Sequence, residues 1–293
     1  MDSSTEFKDW SKLWDFENPE LSRQRFKSLQ DELALPNSHP YNLELITQIA
    51  RTYSLEGEFD LGHKLLDKFA SEFQESNSKV KVHFHLEKGR LYNSNGELEN
   101  ALDHFCRAWD LANSNGIEVL SIDAAHMMAI VKTDPEEALK WNLIALEIAE
   151  HATSPRGKKW LGALANNTGW TYFDKEDYDT ALIYFEKALT NYQEYGTDNQ
   201  LRIARWTIGR VYREIGKTSE ALEIMQQLEA EAKQEDRSIN GYTAEELAEL
   251  YLLQKESNKA QSYFQMAYDL LSKDDWLVRN EPERVARLLE LSQ

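Results

Sequence analysis

The sequence predicts an all-α chain, an array of antiparallel helix pairs, and three observations carry that expectation. A pattern of small and aromatic residues recurs six times along the 293 residues. Helix formers dominate, while glycine (12) and proline (6) are scarce. No run alternates apolar and polar residues for long enough to suggest a strand.

The pattern is clearest at Gly169, Tyr172, Tyr178, Ala181, Phe185 and Ala188. A second copy runs Gly89, Tyr92, Gly96, Ala101, Phe105, Ala108, and a third Gly209, Tyr212, Gly216, Ala221, Met225, Leu228. Ala248, Tyr251, Ala260, Phe264 and Ala267 give a fourth, and Ala50, Tyr53, Gly57, Phe59, Gly62 and Leu66 a fifth. The weakest has Ala129, Ala138 and Ala145, with His126 where the others carry glycine or alanine. The second small residue falls at 62, 101, 138, 181, 221 and 260, a period of 39, 37, 43, 40 and 39 residues. Periods of about 20 to 50 residues mark stacked arrays. A small residue on one helix lets the aromatic ring of its partner approach, where a larger side chain would force the axes apart. A pair fixed in this way cannot bury both faces alone. Neighbours therefore stack, share a core and curve into a superhelix with a concave wall.

Two segments flank the repeats. Pro19 to Leu35 reads as an amphipathic helix with Leu21, Phe26, Leu29 and Leu33 inward, preceded by a Trp10, Trp14, Phe16 cluster. Pro282 to Leu291 places Val285, Leu288, Leu289 and Leu291 on one side. Both are expected to cap the open ends of the stack. The alternative is a membrane-binding or partner helix, and the few lysines and arginines near the tryptophans argue against the membrane. The organisation expected is a tail and capping helix over 1–41, the array over 42–275 and a second cap over 276–293. Helix starts are punctuated by Asn18-Pro19-Glu20, Ser154-Pro155 and Asp134-Pro135-Glu136-Glu137. Each sets a capping side chain before a proline whose missing N–H costs nothing at the first helical position. The last adds a glutamate three residues after the cap.

The three strong copies make the chain resemble the tetratricopeptide repeat (TPR) family over roughly residues 42 to 275. It departs from the family's typical period, nearer 34 residues, and lacks the usual proline closing each second helix. Longer helices or turns are expected to absorb the difference. The stretch Asn166-Asn167-Thr168-Gly169-Trp170-Thr171-Tyr172 is similar to bacterial TPR proteins of unassigned role. The resemblance implies a right-handed superhelical solenoid of about six helix pairs that binds a protein or peptide on its concave wall.

Composition narrows the partners. The 33 basic and 51 acidic residues give a formal charge of −18, which opposes phosphate backbones. Nucleic acid is not expected. The one cysteine, Cys106, lies beside Phe105 on a packed stripe and is expected to be a small buried hydrophobe. Met1 to Lys12 has acids and no apolar h-region, and no run of 18 apolar residues occurs, so a cytoplasmic protein without membrane attachment is expected. No nucleophile motif, phosphate loop or dinucleotide fingerprint occurs, so no cofactor and no enzymatic activity are expected.

In a TPR array the concave wall is lined by first helices, at the residue after the anchoring glycine or alanine and its helical neighbours. Those positions read Arg51, Arg90, Met127, Trp170, Arg210 and Glu249, with Thr47, Asn93, Asp123, Asn166, Arg213 and Glu245 on the same face and Trp206 one turn before Arg210. Arg51, Arg90, Arg210 and Arg213 offer guanidinium forks for an anionic group. The alternative has them pairing with Glu245, Glu249, Asp123 or Glu87 and gluing the stack. Trp170 and Trp206, with Asn166 nearby, suit an apolar side chain or planar ring. Asp123 and His126, three apart, suit an oriented imidazole or two metal ligands, but no third ligand follows in sequence. A satisfied structural histidine is the simpler reading, and the macrodipole explains Glu245, Glu246 and Glu249 near a helix start.

The function expected is a binding module holding a peptide segment or anionic ligand in the groove. Arg51, Arg90, Arg210 and Arg213 would supply charge, Asn93 and Asn166 hydrogen bonds, and Trp170 and Trp206 the apolar anchor. The alternatives are a scaffold or self-associating adaptor that uses its acidic outer face and, more remotely, an enzyme using Asp123 and His126.

Overall fold

The computed structural model describes residues 7–293. Met1–Glu6, the beginning of the expected tail, lie outside the described residues. The chain divides into two compact units, Met1–Trp160 and Leu161–Gln293. Among the described residues there are helices and no strands.

In the first unit a short 3-10 helix (Trp10–Leu13) precedes α1 (Pro19–Leu33), α2 (Pro40–Leu55), α3 (Phe59–Lys68) and α4 (Ala70–Glu75). Then come α5 (Ser78–Ser94), α6 (Leu98–Ser114), α7 (Glu118–Val131), α8 (Pro135–Glu150) and the single turn α9 (Pro155–Lys158). The three starts read from sequence are capped as expected. Asn18 Oδ1 accepts from the Leu21 N–H at 3.0 Å, Asp134 Oδ1 from that of Glu137 at 2.9 Å, and Ser154 Oγ from that of Gly157 at 3.0 Å.

The second unit follows with α10 (Trp160–Asp174), whose first residue closes the first unit, α11 (Tyr178–Tyr195) and α12 (Asp198–Glu214). It continues with α13 (Thr218–Gln234), α14 (Gly241–Leu253), α15 (Ser257–Leu271), α16 (Asp275–Asn280) and α17 (Pro282–Leu291). A capping box between Thr197 and Gln200 that the sequence reading passed over starts α12.

The pairs close where the repeat places its small residues. A Cβ added to Gly169 would lie 2.6 Å from Phe185 Cε1, and one on Gly209 2.7 Å from Met225 Cε. The Phe105 ring lies against Gly89 in the same way. The turn between paired helices is equally regular. Five residues before the small residue of the second helix, Gly57, Gly96 and Gly216 adopt the left-handed conformation, and Glu176 and Lys255 are forced into it at the corresponding places. The long period resides in the helices: α5, α6, α12 and α13 each run 17 residues.

The ends pack with two departures from expectation. Phe26 and Leu29 of α1 are buried with Leu45 and Ile49 of α2, and Leu33 packs against them, but Ser22 rather than Leu21 takes the remaining buried place. Leu288 of α17 is buried, with Val285 and Leu291 packed beside it; Leu289 faces solvent. Leu288 and Leu289 are adjacent and point about 100° apart on the helix, and Leu288, in the same i, i+3 register as Val285 and Leu291, takes the inward direction.

Candidate functional site

In the first unit α2, α5 and α7 present their inner faces side by side. Arg90 of α5 donates to Glu87 Oε1 at 2.6 Å and to Asp123 Oδ1 of α7, and Arg51 of α2 lies 3.6 Å from the same Glu87 oxygen. Glu87 is almost wholly buried, and its Oε2 has no hydrogen-bond partner. Burial opposes ionisation of Asp123, but Arg90 and Arg51 outweigh it and hold the carboxyl below its usual range.

The second unit repeats the device. Arg210 donates to Glu246 Oε1, and Arg213 Nε to Glu246 Oε2 at 2.6 Å, with Glu246 fully buried. Arg51, Arg90 and Arg210 each reach a carboxylate in the next first helix. Glu87 and Glu246 stand two residues before the anchors Gly89 and Ala248, which puts Ala125, fully buried two residues after Asp123, in the anchor register of the weakest repeat. The anchor there is thus Ala125 and not Ala129 or His126.

Glu245 and Glu249, read as macrodipole partners of a helix start, are instead paired. Arg284 of α17 grips Glu245 at 2.8 and 2.6 Å, and Arg287 grips Glu249. His126 does not form a dyad with Asp123: its Nδ1 is buried without a partner, and its ring meets Trp160 edge-on at 5.5 Å. Burial lowers its pKa, opposed by Asp123. Asn93 is half-buried beside Tyr92 at the end of α5. His83 and His85 point apart as expected, His83 toward Trp10 and His85 toward His104. Cys106 is half-buried rather than buried, with its thiol 3.8 Å from Met128 Sδ. Among the described residues no group of three or more histidine, cysteine or acidic side chains is placed to hold a metal.

Trp170 and Trp206 come together with ring centroids 6.1 Å apart, both half-buried. The Trp206 indole N–H donates to the Tyr242 carbonyl at 3.2 Å. Asn166 Oδ1, one turn before Trp170, is buried without a partner. Beside Trp206 opens a cavity of about 410 Å³ between α12, α13 and α14 that the sequence reading missed. Ile203, Trp206, Leu228 and Tyr242 line it, with Arg202 and Arg237 at its edge. Both arginines turn to one carboxylate, Glu235, at 3.7 and 2.5 Å. Its only sequence signal was Arg202 and Ile203, one turn before Trp206 on α12; Arg237 and Tyr242 arrive from the following loop and helix.

A tetratricopeptide repeat family model matches residues 161–234, which include α12 and α13, two of the three helices that border this cavity. Residues 161–234 are thus similar to tetratricopeptide repeats. Tetratricopeptide repeat protein 29 of Macaca fascicularis is 24% identical over 218 residues, which are 69% of this chain and 45% of that protein, so the chain spans less than half of this relative. Among solved structures the chain is similar in fold to the apo form of RapI, with a TM-score of 0.72 at 16% identity over 91% of this chain and 76% of that one. It is also similar to the apo quorum sensor NprR from B. thuringiensis, with a TM-score of 0.61 at 18% identity over 96% and 80% of the two chains. NprR in complex with its cognate peptide NprX gives 0.51 at 17% identity over 100% and 84%. At these identities the likeness is one of fold. No helix among the described residues is long and apolar enough to cross a membrane.

Proposed function

We propose that this TPR array is a protein-interaction module that takes up a peptide segment, with an apolar side chain in the cavity beside Trp206 and an acidic group met by Arg202 and Arg237. One observation carries the reading: an apolar cavity of about 410 Å³ edged by two guanidinium groups that share a single carboxylate. The arginines expected to bind are charge-matched, Arg51 and Arg90 by Glu87 and Asp123, Arg210 and Arg213 by Glu246 and Glu214. Arg202 and Arg237 leave one positive charge over, on a chain of net charge −18. Burying an aliphatic side chain contributes about 1.5 to 3 kcal/mol, and a hydrogen bond to a charged group a similar amount. Trp170, Trp206 and Asn166 extend the same face. The peptide complex of NprR supports a peptide as the ligand class.

The test is mass spectrometry of what copurifies with the native chain and with Ile203→Asp and Arg202→Ala/Arg237→Ala variants of equal helicity. Ile203 is 45% exposed, so a charge there blocks the cavity without entering the core. A peptide absent from the Ile203→Asp sample and depleted from the arginine variant supports the reading. Identical partners on all three samples would move the function to the acidic outer face.

A further inference from the structure

The polar face of α2 in the first unit is covered by the protein's own N-terminal segment. Trp10, only 8% exposed, donates its indole N–H to Glu44 Oε2 at 3.0 Å. Its ring meets the edge of His83 on α5 at 5.8 Å, and the Arg156 guanidinium stands over it at 5.2 Å. Trp14 donates its indole N–H to Gln48 Oε1 at 3.1 Å. The segment therefore lies across the inner faces of α2 and α5, where a TPR array presents its binding wall.

The covered surface has the chemistry of a surface meant to be uncovered. Nine consecutive residues of α2, Asn42 to Ala50, are buried, and on the covered side these include Glu44, Thr47 and Gln48. A permanently buried helix face is apolar, because burying polar groups costs free energy even when they are paired. The second unit shows the contrast at equivalent positions. Six residues before the anchor, α2 has Glu44 at 6% exposure and α12 has Ile203 at 45%. Burial beneath Trp10 also pushes the His83 pKa down to about 4. The cover is one 3-10 turn and an irregular stretch, with Trp10 packed among Phe26, Leu29, Leu45 and Ile49, side-chain bonds tying Lys8, Leu13 and Asp15 to α1, and Phe16 62% exposed.

We infer that the α2–α5 face is a second peptide site, one that reads tryptophan, held in cis by residues 8–16 and taken in trans by a partner segment carrying two tryptophans four residues apart with flanking acids. Glu44 and Gln48 accept the two indole N–H groups one helical turn apart, which fixes that spacing. Arg156 stacks on the first ring and faces Asp9, whose carboxyl is held low chiefly by the Ser11 hydroxyl and also by Arg156. Unlike the cavity beside Trp206, this site selects hydrogen-bonding aromatic rings. The inference rests on reading the chain as a peptide-binding array, but on a different unit and with a different ligand.

The probe is a fluorescein-labelled peptide of residues Phe7–Asn18, titrated by anisotropy into the full chain and into its Trp10→Ala/Trp14→Ala variant. The variant, with its face vacated, is expected to bind at least about tenfold more tightly than the wild type. A peptide with both tryptophans replaced by alanine is expected to bind neither protein. Equal affinity for both proteins, or no binding by a variant of native helicity, overturns the inference. Should the variant not fold, hydrogen exchange on the wild type decides: residues 9–16 exchanging many-fold faster than α2 supports a detachable segment, and equal protection overturns it. Neither outcome touches the cavity beside Trp206, so the failure of the two readings can be told apart.

Discussion

Arg90 holds Asp123 across the step from one repeat to the next, and in the same geometry it holds Glu87 on its own helix at 2.6 Å. A charge placed between a buried and a half-buried carboxylate is structural before it is anything else. Removing it leaves Glu87 and Asp123 in a low dielectric with only Arg51 nearby, a change that costs up to about 3 to 5 kcal/mol. Arg90→Ala is therefore expected to lower the urea midpoint of the first unit far more than Arg202→Ala, which loses one half-exposed ion pair at 3.7 Å and stays within about 1 kcal/mol of wild type.

Gly169 and Phe185 are in contact because no side chain lies between them. An alanine at 169 puts a methyl 2.6 Å from the Phe185 ring, and overpacking of this kind costs about 1 to 3 kcal/mol against a gain of about 1 kcal/mol in helix propensity. Gly169→Ala should destabilise. Phe185→Leu should lose stability too, by leaving a partial cavity, but the double variant should be less destabilised than the two losses added together. A denaturant double-mutant cycle reads that coupling directly.

Glu176 and Lys255 sit at φ 60° and 63° in the turn where three other repeats have glycine. Left-handed backbone costs an ordinary residue about 1 to 2 kcal/mol, while glycine loosens the unfolded chain by about 0.4 to 1 kcal/mol. Glu176→Gly and Lys255→Gly are each expected to raise stability by about 0.5 to 1 kcal/mol, measured as an upward shift of the thermal midpoint with no change in helicity.

His85 and His104 face each other with Nδ1 atoms 3.0 Å apart. Burial, largest in both, lowers each from 6.5 to about 4; neighbouring positive charge adds to it, and Asp103 opposes it. Folded values below the unfolded one mean that the unfolded chain takes up protons first as the pH falls. Their contribution is complete above pH 6.5 and is lost between about 6.5 and 4. Melting temperatures should fall across that window, and a His85→Gln/His104→Gln variant should fall less steeply.

Much of this was legible in the sequence because it rests on short-range chemistry. Asn18, Asp134 and Ser154 cap helices through bonds to backbone three residues away, so their role is local. The Gly169 and Phe185 pair is sixteen residues apart but is fixed by two helices and one tight turn. The candidate site was less legible. The helices that carry Arg51, Arg90, Arg210 and Arg213 are legible, yet the partners of these arginines stand in neighbouring repeats, 33 or 36 residues away in all four cases. Glu245 and Glu249 depend on Arg284 and Arg287, from a helix read only as a cap.

The sequence by itself determined the helix pairs, their register and most of their ends, since a period of about 40 residues with fixed small and aromatic positions admits one way of closing each pair. Only the tertiary structure decided what the polar residues do. Whether an arginine is free to bind, as Arg202 and Arg237 partly are over Glu235, or is spent on a buried carboxylate, as Arg90 is, depends on which acids the next repeat brings within about 4 Å. The same holds for Trp10: its sequence neighbours suggest a cap, while Glu44, His83 and Arg156, from three separate helices, surround its ring. Packing of local pairs is written in adjacent residues; charge balance and cover are sums over distant ones, and exist only once the chain has folded.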